Sequence, residues 1–491
     1  KKENKKMNRV IIKLSVFCLG VLLASCGGFR QPSGHEASQP PVFPDYAETT
    51  VPSTIAPLNF GLPEATHIQA TFTNASGEKL EAQGKTYVDI PEKKWHQLLA
   101  QGGDIRVEVS IWTPEKPDGV SYEPFVIHVS TDKIDPWMAY RLIPPGYEGW
   151  DKMGIYERDL SSFEVRPFIL NSQNNKGCVN CHAFCEYSPE TFMFHARGAG
   201  GGTLIYRNGK MEKVEINKMG PKKNASYNIW HPSGKYIAFS SNSTKQSFYG
   251  CSRDKIEVYD MRSDIIVYDV ENHNVLTDER FVDSVNWETL PCFSPDGKYL
   301  YFSTSHAVHV PMECPKLKFS IVRVPFDEQT GALGQIDTVY SAAQRGGSAL
   351  MPRISPNGRY MLYTWGEYGA FHVYHKEADF RMMDLQTGED VDVSPLNSND
   401  VESYHVWSSN SSWVMFASKR MDTRYTRIFI SHSDGKQFSK PFLLPQRDPE
   451  YNTMLMFSFN IPEFMSAPID VPKDKLSDFF RVDDPPSAQH K

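Results

Sequence analysis

One ten-residue pattern recurs four times in the C-terminal two-thirds of the chain. The segments are His231-Pro-Ser-Gly-Lys-Tyr-Ile-Ala-Phe-Ser, Ser294-Pro-Asp-Gly-Lys-Tyr-Leu-Tyr-Phe-Ser, Ser355-Pro-Asn-Gly-Arg-Tyr-Met-Leu-Tyr-Thr and Ser408-Ser-Asn-Ser-Ser-Trp-Val-Met-Phe-Ala, spaced by 63, 61 and 53 residues. Each follows an apolar residue (Trp230, Phe293, Ile354 or Trp407) and runs into aromatic and β-branched side chains. Pro presets one turn angle and Gly supplies a left-handed one, so the flanking runs read as the two strands of a hairpin. Two aromatic columns result: Tyr236, Tyr299, Tyr360, Trp413 and Phe239, Phe302, Tyr363, Phe416. The fourth segment departs from the pattern, with Ser411 where the others carry Gly.

A second hairpin-like stretch follows each unit, at 265–275, 319–336, 380–393 and 426–443. Residues 203–216 and 155–168 match this second half without the first. Counting second halves gives six units, and a strand near 455–461 would complete the first of them from the far end of the chain. Such borrowing closes a ring and removes the exposed sheet edge. Period, hairpins and closure predict an all-β fold: a β-propeller of six blades at 151–470, with five or seven also compatible with the length. Residues 54–150 alternate as strands at 68–73, 105–112 and 125–129, with a short helix at 91–99, and predict a small β-sandwich-like domain ahead of the propeller. Residues 471–491 read as a C-terminal tail.

The Ser-Pro-Asp-Gly-Lys-Tyr core resembles the WD-like repeats of TolB-type propellers, over roughly residues 153–465. The order of elements is similar to a group of Bacteroidetes TolB-like lipoproteins referred to as cytochrome c or cytochrome c biogenesis proteins. That resemblance implies haem and an envelope location and supplies no substrate.

Residues 1–25 read as a secretory leader. Lys1, Lys2, Lys5, Lys6, Arg9 and Lys13 precede or enter an apolar run from Val10 to Ala24, and Met7 marks a normal start within it. The run ends in Leu23-Ala24-Ser25-Cys26-Gly27, which resembles a lipobox and makes Cys26 the lipidation candidate. Gly, Pro, Ser and Gln over 26–53 read as a flexible tether. The expected location is the cell envelope, lipid-anchored at the outer membrane and facing the periplasm. The 491 residues carry a net charge of −7, and losing the leader makes the chain more acidic still. No basic patch points to nucleic acid.

Gly177-Cys178-Val179-Asn180-Cys181-His182 holds the c-type haem attachment motif Cys-x-x-Cys-His. Two thiols on a short turn reach two vinyl groups, and the adjacent imidazole falls beneath the iron. Composition alone yields the motif about 0.004 times per chain. The expected cofactor is one covalent haem c, with His182 as proximal ligand and the loop 171–190 crossing one face of the ring. His195 and Met193 are the distal candidates, two apart and so on one face of a strand, with His306 and His309 further away. Two other readings share the residues: a Cys178–Cys181 disulfide, or zinc on Cys178, Cys181, His182 and Cys185. In an oxidising compartment Cys185, Cys251, Cys292 and Cys314 are expected to pair. His231 reads as a turn residue.

These features point first to a monohaem cytochrome passing electrons to or from an envelope partner. The alternative is a TolB-like protein-binding or scaffold module in which haem is structural, sensory or absent. A haem peroxidase or a channel hydrolase is the third reading; Arg353, His405 and Arg420 are channel-side residues, with no nucleophile–base pair legible by spacing.

Overall fold

The computed structural model describes residues 29–144, 152–198, 201–216, 225–252, 254–282, 284–481 and 489–490. The leader and Cys26 lie outside the described residues. Each repeat turn closes as its composition demands. In the fourth blade Ser294 Oγ donates to Asp296 Oδ1 at 2.6 Å and accepts from the Tyr299 amide at 3.0 Å. Ser355 and Ser408 repeat this geometry with Asn357 and Asn410. The irregular fourth segment turns identically: Ser411 itself takes the left-handed φ of 65° that Gly occupies elsewhere.

Six units, each built on four antiparallel strands, form a six-bladed propeller; in the third, Gln489–His490 adds a fifth strand parallel to Asn274–Leu276. Its inner strands are Ser458–Met465, Val179–Phe184, Ser226–Trp230, Asn286–Phe293, Ser348–Ile354 and Glu402–Trp407. The first blade takes its inner strand from the C-terminus, paired antiparallel with Trp137–Ile143. Closure therefore occurs as expected, three to four residues beyond 455–461. Strand Trp137–Ile143 pairs with Gly154–Asp159 and belongs to this blade, so the propeller begins before residue 151. The second blade also differs from expectation. The segment read as a loop across the ring face is a 3-10 turn, Asn171–Asn174, followed by the inner strand itself.

The N-terminal domain is a single seven-stranded sheet rather than two facing ones. Its long strand Gly103–Trp112 pairs with His67–Asn74 on one side and with Phe125–Ser130 and Val120–Tyr122 on the other. Helix Glu92–Leu99 buries Trp95, Leu98 and Leu99. The expected tether is also built in: Gly34–Glu36 and Thr50–Pro52 add as parallel strands, and Tyr46 is buried. One continuous core joins this domain to the first and sixth blades through Trp413, Met415, Phe442 and Phe459. Residues 473–481 are likewise not a loose tail, since Leu476 and Phe479 pack on the second blade, with the Phe194 and Phe479 rings 5.4 Å apart. No helix among the described residues is long and apolar enough to cross a membrane.

Candidate functional site

All six inner strands carry the same irregularity. Two residues of the inner strand oppose one of its neighbour at Cys181–His182, Tyr227–Asn228, Leu290–Pro291, Met351–Pro352, Tyr404–His405 and Ile461–Pro462. The first residue of each pair is left-handed, with φ between 48° and 55°. Such bulges bend a strand and re-aim its side chains. The single opposing residue is aromatic in every blade: Phe194, Phe239, Phe302, Tyr363, Phe416 and Tyr140, all buried. The second aromatic column of the repeat is thus the buried counterpart of the bulge.

Beyond the bulges the strands converge on a cavity of about 160 Å³ at one mouth of the channel. Its wall is a ring with one member per blade: Phe184, Trp230, Phe293, Ile354, Trp407 and Phe464. The residues just before these are Ala183, Ile229, Cys292, Arg353, Val406 and Glu463, so charge enters at only two of six equivalent places. Glu463 accepts a hydrogen bond from the Phe184 amide at 3.0 Å and so ties the closing strand to the second blade. Burial pushes its carboxyl up to about 8, against the Phe184 amide and Arg353. Arg353 donates to the Pro352 carbonyl at 2.9 Å. His405 donates from Nε2 to the Leu362 carbonyl at 2.9 Å, and burial lowers its imidazole to about 3. Arg420 is bound to Glu402 at 2.9 Å.

The Cys-x-x-Cys-His residues lie deeper. Cys178 and Cys181 are each 6% exposed and His182 is 2% exposed. Burial holds His182 at about 3, with Arg141 adding to the effect, so the imidazole is neutral. Both its ring nitrogens are buried without a formed hydrogen bond; the Ile461 backbone is the polar group facing them. A neutral imidazole with an uncommitted nitrogen is a competent iron ligand. The donor chemistry therefore fits a haem, whereas the packing does not. Cys178 lies in the core between the first two blades, and the wall of the mouth cavity includes none of the three residues.

The distal candidates are not brought to His182. Met193 packs with Ala183 and Trp230 on the side of the third blade. His195, two residues along the same strand, shares that face; its Nδ1 lies 3.0 Å from Thr203 Oγ1. His182 instead meets Phe184, whose cluster faces the first blade. His306 and His309 are exposed. Nor do the thiols pair: Cys178, Cys181, Cys185, Cys251, Cys292 and Cys314 are all free, and all but Cys251 are buried. Cys185 faces the carbonyls of His231 and Pro232, away from the other two thiols of the zinc reading. No cluster of three or more metal-ligating side chains occurs among the described residues. His231 is a turn residue, with Nδ1 2.7 Å from Ser233 Oγ and Nε2 3.0 Å from the Gly297 carbonyl of the next blade.

Neither a family model nor a curated protein matches this chain. Solved structures do. TolB from Acinetobacter baumannii is similar at 13% identity and a TM-score of 0.43, over 74% of this chain and 79% of that one. Hydrazine synthase of Kuenenia stuttgartiensis is similar at 11% and 0.43, over 67% of this chain and 46% of that one. The periplasmic gluconolactonase PpgL of Pseudomonas aeruginosa is similar at 14% and 0.36, over 67% and 100%. These are likenesses of fold alone.

Proposed function

We propose that this chain is an envelope binding module that captures a protein partner at the mouth of its propeller channel. The observation that carries this is the apolar ring, five of its six members aromatic, to which every blade contributes one residue around a cavity of about 160 Å³. Pockets for free small molecules usually reach about 300 Å³ or more. This one suits a single anchoring side chain of a larger partner, the arrangement in which a few buried residues carry most of the binding energy. The leader motif supplies the envelope location. The test is photo-crosslinking from the mouth turn at Pro232 in the native host, beside a Val406→Trp variant that fills the cavity. A discrete partner adduct is expected, reduced at least tenfold in the filled variant; an undiminished adduct would sink the proposal.

A second reading, one covalent haem c on Cys178 and Cys181 serving electron transfer, is favoured by the uncommitted nitrogens of His182. It requires the second inner strand to part from the first blade. An oxidised and dithionite-reduced visible spectrum, on protein made in a periplasm with c-type maturation, decides it. Colour that survives denaturing electrophoresis supports haem, and a colourless protein leaves the binding module alone.

A further inference from the structure

The least expected charge in the molecule is Arg141. It sits in the first blade on strand Trp137–Ile143, only 6% exposed, with its Nε buried and without a hydrogen-bond partner. Among the described residues no carboxylate lies within ion-pair distance of its guanidinium. An Arg side chain stays charged in proteins, and a buried charge is normally paired. The other buried Arg side chains show the contrast. Arg158 donates to the Pro445 carbonyl and to Gln446 Oε1, and Arg427 to the carbonyls of Asn452, Leu455 and Phe457.

Arg141 pairs across the sheet with Asn460, the residue before the Ile461 bulge, and polar groups from three other blades gather around it. It lies close enough to Cys178, His182, Tyr374 and Tyr404 to act on the ionisation of each. His182 brings a second set of uncommitted buried nitrogens to the same place. Tyr404 also lines the mouth cavity, as does Ile461, whose backbone faces His182. Tyr404 and Ile461 are thus common to the cavity wall and to this cluster, while Arg141 and His182 are not part of the wall.

We propose that Arg141 and His182 form the receptor for a carboxylate at the inner end of the channel, the guanidinium taking both oxygens and the imidazole N–H donating to one of them. The planar fork matches a carboxylate bidentately, and one permanent cation balances one negative charge, where a phosphate dianion would remain half neutralised. The apolar ring at the mouth accepts the body of the same ligand. The ligand class is thus an apolar or aromatic group with a carboxylate at its leading end. This rests on the reading of the mouth as a binding site.

The test is calorimetric titration of the full chain with 3-phenylpropionate, 3-phenylpropanol and inorganic phosphate. The propionate is expected to bind at least about tenfold more tightly than the alcohol, the size of one charge-assisted hydrogen-bonded contact. Arg141→Met is expected to erase that difference while leaving the alcohol unchanged. Should that variant fail to fold, Arg141→Lys keeps the charge without the fork and is expected to lose about tenfold for the propionate alone. Equal binding of propionate and alcohol would overturn the carboxylate site and leave the mouth reading standing. Binding of neither ligand would overturn the inference, and the crosslinking result then judges the mouth separately. Phosphate binding tighter than propionate would overturn the choice of ligand.

Discussion

The inner strand of the second blade and those of the other five share a backbone and differ in side chains. All six bulge at one place and put a buried aromatic residue opposite. Four of the others announce themselves by the repeat turn that follows; the second blade instead continues into a 3-10 turn, Cys185–Tyr187, with Glu186 and Tyr187 both at positive φ. Where three of its counterparts carry Pro as the second bulge residue, it carries His182. The ring is therefore held by the bulge and its aromatic partner, and the turn sequence is dispensable. What the second blade does with this freedom is bury two thiols and an imidazole along its inner strand.

The largest way to break this equivalence is to remove the one inner strand that is not followed by its own blade. Truncation after Met456 deletes Ser458–Met465, with Phe459, Phe464 and Met465 buried. It leaves Trp137–Ile143 as a bare edge. Loss of a cooperative unfolding transition is expected in denaturant titration, and a truncated chain that still unfolds in one steep step would show that five blades suffice.

The aromatic columns look equal in sequence and are not equal in the fold. Trp413 is fully buried under the N-terminal domain, with Nε1 donating to the Asp132 carbonyl at 3.3 Å. Tyr299 holds the same place in its blade but is only half-buried, beneath the Arg323 guanidinium. Trp413→Ala is expected to cost about 3–5 kcal/mol, the usual range for emptying a core site. Tyr299→Ala is expected to cost about 1 kcal/mol or less. Equal losses by equilibrium denaturation would mean that the domain contact contributes nothing.

These differences also mark what the sequence could and could not reveal. Turn residues act locally, so the repeat turn and its aromatic followers disclosed four blades, and counting the second hairpins raised the number to six and left one inner strand to be supplied from the C-terminus. The bulge has no residue signature: Cys181, Tyr227, Leu290, Met351, Tyr404 and Ile461 share a backbone angle and nothing chemical. The motif at 178–182 was visible, but its burial in a strand was not, because Cys-x-x-Cys-His is read as a loop by its chemistry. Arg141 carried no signal at all. Its isolation depends on which strands surround it, and those come from residues up to 320 positions away. Glu463 became placeable only once the closing strand was paired.

Glu463 sharpens the comparison at the junction of the first two blades. Burial raises its carboxyl from 4.5 to about 8. Between these values the native chain keeps a proton that the unfolded chain has lost. Stability therefore falls as pH rises through this window and is unaffected by this group below about 4.5. Asp260, pushed up to about 7 by burial, adds a slope of the same sign from the third blade. The expectation is that Glu463→Gln flattens the decline between pH 5 and 8 by about 1–3 kcal/mol. Parallel stability curves for variant and parent would place the proton elsewhere.

The smallest effect tests the bulge directly. Pro291, Pro352 and Pro462 show that the second bulge position tolerates a residue without an amide proton. His182 at that position keeps two buried nitrogens without formed hydrogen bonds, a penalty that Pro does not incur. If the second blade is simply a sixth copy of the ring, His182→Pro removes this penalty and narrows the unfolded ensemble, so a gain of about 1 kcal/mol is expected in the absence of ligand. A loss instead of a gain would mean that the imidazole supports the fold through a contact the other blades do not need. The sign of this small number separates a residue retained for what it binds from one retained for how it packs. A stabilised His182→Pro chain that had lost its affinity for 3-phenylpropionate would place the imidazole in the first class.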